Sequence, residues 1–335
     1  MRAFACDNCR SLIFFENDRC FTCGHEQGYD RSVGALVSLD HTSLERCANA
    51  DLIGCNWLTK SGGLCECCLL TRTRPADTDL AGMAAWRLTE AAKRRLAYQL
   101  DHLKLPTTPR TEDPEKGLAF DLLSSAQQNV ITGHADGVIT IDLAEGDDPH
   151  REAMRVKLAE PYRTMLGHLR HEIGHWYWQV LVDDTPFIDR FRDLFGDDRE
   201  SYSDALQEHY GKPDDNSWAD THVSHYAAAH PWEDWAETFA HYLHIRDTTE
   251  TASWYGLRVD GPSLDLAVSW DAEIRVDPVE DVENFDELAR SWIALKLVLN
   301  QLNRSMGKDD LYPFTLTPAV LDKLRFVHVV VTSHR

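Results

Sequence analysis

Two histidines separated by three residues, in the segment His-Glu-Ile-Gly-His at 171–175, restrict this chain more than any other feature of its sequence. Residues four positions apart lie above one another on one face of an α-helix, so both imidazoles can face a single metal ion. The flanking sequence supports a helix over Pro161 to Val182, because proline suits a first helical turn and apolar residues recur at helical spacing. We therefore predict a metal-binding helix with His171 and His175 as ligands and Glu172 beside them as a base.

The cysteines define a separate N-terminal segment, since all nine lie within the first 68 residues. Cys6 and Cys9 form one CxxC pair, and Cys20 and Cys23 form another. Two such pairs are typical of two knuckles that hold one tetrahedral zinc ion between four thiolates. A pair of disulfides would require an oxidising compartment, which nothing else in the sequence indicates. We expect these four cysteines to bind a structural zinc ion.

A second set of cysteines, with wider gaps, consists of Cys47, Cys55, Cys65 and Cys68. It predicts a second structural zinc ion and leaves Cys67 over, although His25 or His41 could replace one of the sulfurs. A short segment with few core residues gains most of its folding free energy from bound metal. We therefore predict a small Cys-rich domain over residues 1–75 with one or two structural zinc ions.

Composition excludes several classes of protein. The chain has 335 residues, 43% of them hydrophobic, and a formal net charge of −21, of which −20 falls on residues 76–335. Nucleic acid is therefore not expected as the main binding partner, because phosphate backbones reward lysine and arginine. No apolar run has the length of a signal-peptide core or of a membrane span, so we expect a soluble, cytoplasmic protein without a membrane association.

The rest of the sequence predicts an α+β domain over residues 76–335, joined to the first by a connector at Arg72–Asp79. A helix is expected over 80–103, and short strands that include a hairpin form a small sheet before the metal-binding helix. These strands are expected over 117–123, 130–131 and 138–143. The later elements are helices over 187–195, 201–210 and 284–306, and strands within 261–281 and over 326–331.

A second informative segment, His230 to His241, predicts a helix that Pro231 opens. Glu233 and Glu237 lie one turn apart on the same face, among tryptophan and phenylalanine side chains where an unpaired carboxylate is costly. A nearby metal ion or imidazolium would remove this cost. The segment is therefore the expected source of a third metal ligand.

The candidates for the third metal ligand in this helix are Glu233, Asp234, Glu237 and His241. Asp234 is rotated by about 100° from Glu233, and His241 lies roughly 12 Å further along the axis, so neither faces the point that Glu233 faces. Glu233 lies in the first turn, where side chains reach outward most freely, whereas Glu237 lies deeper along the face. We expect Glu233 to bind the metal and Glu237 to accept the outer N–H of a histidine ligand.

The order of these motifs resembles that of the bacterial zinc-binding metallopeptidases that carry an N-terminal zinc ribbon. The resemblance rests on the two CxxC pairs, on Cys-Asn-Trp-Leu at 55–58, on Gly-His-Leu-Arg-His-Glu-Ile-Gly-His at 167–175 and on His-Pro-Trp-Glu-Asp-Trp-Ala-Glu at 230–237. It covers nearly the whole chain and implies a zinc ribbon followed by a zincin-like peptidase domain. The last segment is also similar to the Glu-x-x-Ala-Asp helix of several gluzincins, which implies that Glu233 ligates zinc and that Glu237, in place of the aspartate, braces a histidine.

With this resemblance, the residues predict a zinc-dependent metallopeptidase that acts on a peptide or protein. His171, His175 and Glu233 would leave a fourth zinc position for water, and Glu172 would take a proton from that water. The alternative is a non-catalytic zinc-binding adaptor whose ribbon recruits a protein partner. An intact Glu172 favours the enzyme, because a scaffold has no chemical use for a carboxylate in that place.

Narrower roles are expected for several other residues. His168 is predicted to pack in the core or to support a ligand rather than to bind zinc itself. The strand over 138–143 precedes the metal-binding helix as the edge strand does in zincins, so a peptide could add to it in extended form. Candidates to stabilise the oxyanion, each also explicable as structural, are His225, Tyr226, His230 and His241.

Overall fold

The computed structural model describes residues 1–125, 130–146, 164–212, 216–262, 264, 272–273 and 284–334. The chain divides into two compact units, unit 1 (Met1–Tyr98 and Thr107–Met154) and unit 2 (Gln99–Pro106 and Arg155–Arg335). Its fold class is α+β, as the sequence predicts. Unit 1 contains the Cys-rich segment together with the sheet that follows it in sequence, so the expected domain boundary at residue 75 stays a prediction.

The Cys-rich part of unit 1 is built from three short antiparallel strand pairs. β1 (Phe4–Ala5) pairs with β2 (Leu12–Ile13), β3 (Gln27–Asp30) with β4 (Ala35–Ser38), and β5 (Glu45–Arg46) with β6 (Leu58–Thr59). Two single-turn helices follow in the second half, α1 (Ala50–Ile53) and α2 (Glu66–Leu69).

An aromatic cluster packs against the Cys-rich part of unit 1. The ring of Tyr29 lies 5.1 Å from that of Phe15, 5.0 Å from that of Trp57 and 5.6 Å from that of Tyr98. Strands of two to four residues bury little apolar surface by themselves, so this cluster and the cysteine sets are what holds the segment together.

Unit 1 also contains a four-stranded sheet with the order β7-β8-β10-β9. Its strands are β7 (Thr71–Thr73), β8 (Ala119–Leu123), β9 (Gly133–Ala135) and β10 (Val138–Asp142). β8 pairs in parallel with β7 and β10, while β9 and β10 are antiparallel. β10 therefore has a neighbour on each side, and the expectation that it is an edge strand is wrong.

Two local predictions in this sheet also need correction. Residues 72 and 73 were expected in the connector, but together with Thr71 they form β7, because β8 supplies a strand to pair with. The strand expected over 130–131 lies instead at β9, since the hairpin turn falls at Asp136 and Gly137. Both turn residues have positive φ, 49° and 78°, as two-residue hairpin loops require.

Helices dominate the part of unit 2 that the structure describes. They are α3 (Leu80–His102, which belongs to unit 2 only beyond Tyr98), α4 (Met165–Leu181), α5 (Ile188–Phe195), α6 (Tyr202–Gly211), α7 (Pro231–Trp254), α8 (Phe285–Ser305) and α9 (Pro318–Thr332). β11 (Arg258–Val259) pairs with β12 (Ala272–Glu273). Of these two strands only β12 lies within 261–281, where strands were expected, and β11 lies just before that region. Residues 263, 265–271 and 274–281 fall outside the described residues.

The metal-binding helix begins later than the sequence predicts. Thr164 has an extended backbone and its Oγ1 accepts a hydrogen bond from the amide of Gly167, so it is the N-cap and the helix starts at Met165. Pro161, the expected start, lies outside the described residues, as does the charged segment 147–160.

The C-terminal segment 326–331 is part of helix α9, and the strand expected there is wrong. Thr317 caps this helix and Pro318 occupies its first turn. Leu324, Val327 and Val331 recur at helical spacing and are all buried. The β-branched residues favour a strand locally, but packing of this apolar face overrides that preference.

The centre of unit 2 is the contact between α4 and α7. Ile173 of α4 and Trp235 and Phe239 of α7 are fully buried, and the indole N–H of Trp235 donates to the Gly174 carbonyl at 2.8 Å. A Cβ at Gly174 would lie 3.0 Å from the Cα of Ala236, so glycine allows the two backbones to approach this closely. Among the residues that the structure describes, no helix is both long and apolar enough to cross a membrane.

Candidate active site

Three side chains meet where α4 packs against α7. His171 and His175 project from one face of α4, and Glu233 projects from the first turn of α7. The Nε2 atoms of the two histidines are 3.2 Å apart. Glu233 Oε2 lies 3.1 Å from Nε2 of His171 and 3.5 Å from Nε2 of His175. The three atoms therefore surround one point.

A tetrahedral zinc ion fits at this point. Zinc binds nitrogen and oxygen at about 2.0 to 2.1 Å, which places its ligand atoms about 3.4 Å apart. Glu233 Oε2 is buried and accepts no hydrogen bond of acceptable geometry from the described residues, as expected of an oxygen that faces a metal ion. Burial by itself raises the pKa of Glu233, but the two histidines outweigh burial and hold this pKa well below its usual range.

Glu172 lies beside this triad and is 5% exposed. Its Oε1 is 3.3 Å from Nε2 of His168, while its buried Oε2 has no hydrogen-bond partner among the described residues. Burial by itself raises the pKa of Glu172, but the neighbouring histidines outweigh burial and lower it. Glu172 is therefore an ionised carboxylate with one oxygen left to accept a proton.

The outer nitrogen of His171 is held from behind by α7. Its Nδ1 donates to Glu237 Oε1 at 2.7 Å, and Ser224 Oγ donates to the other carboxylate oxygen, also at 2.7 Å. Burial by itself raises the pKa of Glu237, but the bond from His171 outweighs it, and the pKa is about 2. With Nδ1 protonated, the lone pair of His171 is on Nε2, the atom that faces Glu233.

Two tyrosines complete the surroundings of the triad. Tyr202, the first residue of α6, donates its hydroxyl to Glu233 Oε1 at 2.5 Å. The ring of Tyr226 lies 5.9 Å from the ring of His171. Burial raises the pKa of both phenols. Tyr202 and Ser224 were missed in the sequence, because no spacing connects them with the residues that they contact only after folding.

The remaining candidates have other contacts. Asp234 is buried and accepts a hydrogen bond from Lys323 Nζ at 2.6 Å. His230 caps α7 through Nδ1, which accepts from the amide of Trp232. His241 Nδ1 lies 2.6 Å from the Tyr312 hydroxyl, and the ring of His225 lies 4.2 Å from the ring of His209. These contacts give all four residues a structural reason for their positions.

Each predicted set of four cysteines converges on one point. The sulfurs of each set lie within 4.8 Å of one another. Sulfurs in hydrogen-bond contact are 3.6 to 3.7 Å apart. A tetrahedral zinc–thiolate site places its sulfurs about 3.8 Å apart, whereas a disulfide places them about 2.05 Å apart. All nine cysteines are free, which agrees with metal binding and not with disulfides. The two sets are Cys6, Cys9, Cys20 and Cys23, and Cys47, Cys55, Cys65 and Cys68.

The other donors near the cysteines lie outside both sets. Cys67 is buried but belongs to neither. Each set consists of four sulfurs and no histidine. His25 Nδ1 lies 3.2 Å from Asn8 Nδ2, and His41 Nδ1 lies 3.0 Å from Asp7 Oδ2. Hydrogen bonds from the His25 backbone and the Asn8 side chain lower the pKa of Cys23 to about 5, which favours the thiolate form that binds zinc.

The fold and these three clusters define a zinc-binding protein with an N-terminal ribbon and a metallopeptidase-like domain. The chain belongs to the family described as "Putative zinc-binding metallo-peptidase", which matches residues 82–330, and residues 3–79 match a zinc-ribbon domain family. This confirms the family resemblance that the motifs indicate.

The relatives extend the same comparison over the whole length. The chain is 49% identical over 336 residues to Uncharacterized protein Rv2568c of Mycobacterium tuberculosis and to Uncharacterized protein Mb2598c of Mycobacterium bovis. In both comparisons the match covers 99% of this chain and 95% of the relative. No solved structure matches the chain.

Proposed function

We propose that the chain is a zinc-dependent metallopeptidase that hydrolyses peptide bonds with Glu172 as general base. The observation that carries the proposal is the buried carboxylate of Glu172, with an unpaired Oε2, beside three converging donor atoms of His171, His175 and Glu233. Three protein ligands are typical of catalytic zinc, whereas structural zinc has four. The two cysteine sets have four members each and support structural roles.

Bound zinc would act as a Lewis acid that lowers the pKa of water and polarises the substrate carbonyl. Glu172 Oε2 accepts a proton from water as the water oxygen forms a bond to the carbonyl carbon. The same carboxyl then delivers this proton to the amide nitrogen as the C–N bond breaks, and Glu172 returns to its ionised state. His168, 3.3 Å from Oε1, holds the carboxylate in place during both transfers.

The decisive variant is Glu172→Gln, because the amide has the same shape but cannot take the proton. It should retain zinc to the same level as the wild type and lose about 10²- to 10⁴-fold in turnover of a mixed peptide library. Glu208→Gln on the exposed face of α6 is the matched control and should hydrolyse normally. Chelation of zinc should abolish turnover in wild type and control alike.

Two results would contradict the enzymatic proposal. Normal hydrolysis by Glu172→Gln would exclude Glu172 as the base. Zinc-loaded wild-type protein that cleaves none of the library peptides would favour the adaptor, in which the ribbon recruits a protein partner and the second domain only binds zinc.

A further inference from the structure

The two oxygens of Glu233 have separate partners. Oε2 faces the Nε2 atoms of His171 and His175, at 3.1 and 3.5 Å. Oε1 points the other way and accepts the hydroxyl hydrogen of Tyr202 at 2.5 Å. A carboxylate free to rotate could offer either oxygen, or both at once, to a metal ion. The phenol removes this choice, since Glu233 is 1% exposed and its Oε1 would otherwise be a buried, unsatisfied acceptor.

Several independent contacts fix Tyr202 where it can reach Glu233. Its ring packs edge-on against the ring of His230, with centroids 5.2 Å apart, and lies 6.2 Å from the ring of Trp232. His230 also caps α7, and its Nε2 lies 3.3 Å from the carbonyl oxygen of Glu200, two residues before Tyr202. His230, the N-cap of α7, thus also holds the start of α6 beside Glu233.

The start of α6 is itself well defined. Ser201 has an extended backbone and its Oγ accepts from the amide of Asp204, so the helix begins at Tyr202. The rest of α6 is mostly exposed, and no residue of this helix is buried. Tyr202 is itself 37% exposed, yet its hydroxyl reaches the buried carboxylate of Glu233, a contact that a position on an exposed helix does not by itself require.

We propose that Tyr202 is a positioning residue for the metal site: its hydroxyl orients Glu233 so that Oε2 alone faces the metal. The inference rests on the metal assignment in the proposed function. A hydrogen bond to the outer oxygen of a ligating carboxylate restricts its rotation and draws negative charge away from the inner oxygen, and partners of this kind influence both metal affinity and the Lewis acidity of the bound ion.

The test is Tyr202→Phe in the full-length chain, which removes the hydroxyl and keeps the ring packing against His230 and Trp232. Zinc affinity is measured by competition with a chromophoric chelator, and the geometry of the site by the visible spectrum of the cobalt-substituted protein. We expect a loss of about 10- to 100-fold in zinc affinity and a changed cobalt spectrum. Tyr255→Phe, on a tyrosine that is 51% exposed just beyond α7, is the matched control and should change neither.

A double-mutant cycle separates positioning from a loss of fold. If Tyr202 acts through Glu233, then Tyr202→Phe should lower zinc affinity in the wild-type background and not in a Glu233→Ala background. Equal losses of zinc affinity in both backgrounds would overturn the proposal. It would also be overturned if Tyr202→Phe lowered the thermal midpoint of the metal-free protein while the zinc affinity per folded molecule stayed unchanged.

His171→Ala distinguishes failure of this inference from failure of the proposed function. If His171→Ala loses one zinc ion while Tyr202→Phe keeps wild-type affinity and a wild-type cobalt spectrum, the metal site stands and the role of Tyr202 is rejected. If His171→Ala retains as much zinc as the wild type, the metal site itself is rejected, and the role of Tyr202 with it.

Discussion

His171 and Glu237 form a 2.7 Å hydrogen bond from Nδ1 to Oε1 that joins α4 to α7 directly behind the metal triad. The bond is part-buried, and Ser224 occupies the other oxygen of Glu237, so the carboxylate has both oxygens satisfied without a metal. Glu233, one turn earlier on α7, has the opposite arrangement, since its Oε2 faces the two histidines and accepts no hydrogen bond among the described residues. The two glutamates are thus distinguished by their hydrogen bonds.

From this difference we expect Glu233→Ala to weaken zinc binding severely and Glu237→Ala to weaken it by about 10- to 100-fold, the usual scale for a residue that orients a ligand. Chelator competition measures both affinities. Glu237→Gln is the matched control, because its amide oxygen can still accept from His171, and it should lose less than Glu237→Ala. A larger loss for Glu237→Ala than for Glu233→Ala would reverse the assignment of the two glutamates.

Gly174→Ala should destabilise the protein and loosen the metal site together. The added Cβ would lie 3.0 Å from the Cα and 3.2 Å from the carbonyl oxygen of Ala236, backbone atoms that cannot rotate away, so α4 and α7 must separate slightly. We expect a loss of about 1 to 3 kcal/mol in the free energy of unfolding, typical of overpacking, and weaker zinc binding.

Urea unfolding of the metal-free protein and chelator competition measure these two effects of Gly174→Ala. Gly211→Ala is the control, because a Cβ at the end of α6 meets nothing within 4 Å. Unchanged stability and zinc affinity in Gly174→Ala would show that the close approach of the two helices is not required.

Zinc content should report the cysteine sets separately. In the full-length chain, Cys6→Ser with Cys9→Ser should remove one zinc ion, and Cys65→Ser with Cys68→Ser should remove another, because each pair supplies half of the thiolates of one site. Cys67→Ser is the control and should leave the zinc content unchanged. If the second pair of substitutions removes no zinc, then the four-cysteine set that begins at Cys47 is not a metal site.

The buried ion pair of Asp234 with Lys323 links α7 to α9 and predicts a pH-dependent stability. Burial is the main cause that raises the pKa of Asp234, to about 7, although Lys323 opposes it. The folded protein therefore binds this proton more tightly than the unfolded chain does. The stability that protonation of Asp234 contributes is fully present below the pKa of this group in the unfolded chain, 3.8, and is lost as the pH rises through about 7.

Lys323→Met leaves this carboxylate buried without its cation, and should cost about 3 to 5 kcal/mol of unfolding free energy where Asp234 is ionised. The cost should be greater at about pH 8 than at about pH 5, and urea unfolding at both values measures it. Lys308→Met, at an exposed lysine, is the control. An equal cost at both pH values would show that Asp234 does not titrate in this range.

The sequence by itself determined the parts of this protein in which chemistry depends on local spacing. His171 and His175 share a face because any helix places residues four apart together, and each CxxC pair brings its two sulfurs close whatever surrounds it. The opening of α7 was predictable for the same reason, since proline suits a first helical turn and Glu233 follows within that turn. The long helices α3 and α8 also follow from apolar periodicity alone.

Only the tertiary structure decided which distant residues meet. Val327 and its neighbours favour a strand by local preference, and they form a helix because α9 buries one face in unit 2. β10 became an interior strand once β8 paired on its free side. Tyr202 and Ser224 reach Glu233 and Glu237 from 31 and 13 residues away in sequence. Such contacts depend on the packing free energy of whole elements, which no local pattern of residues records.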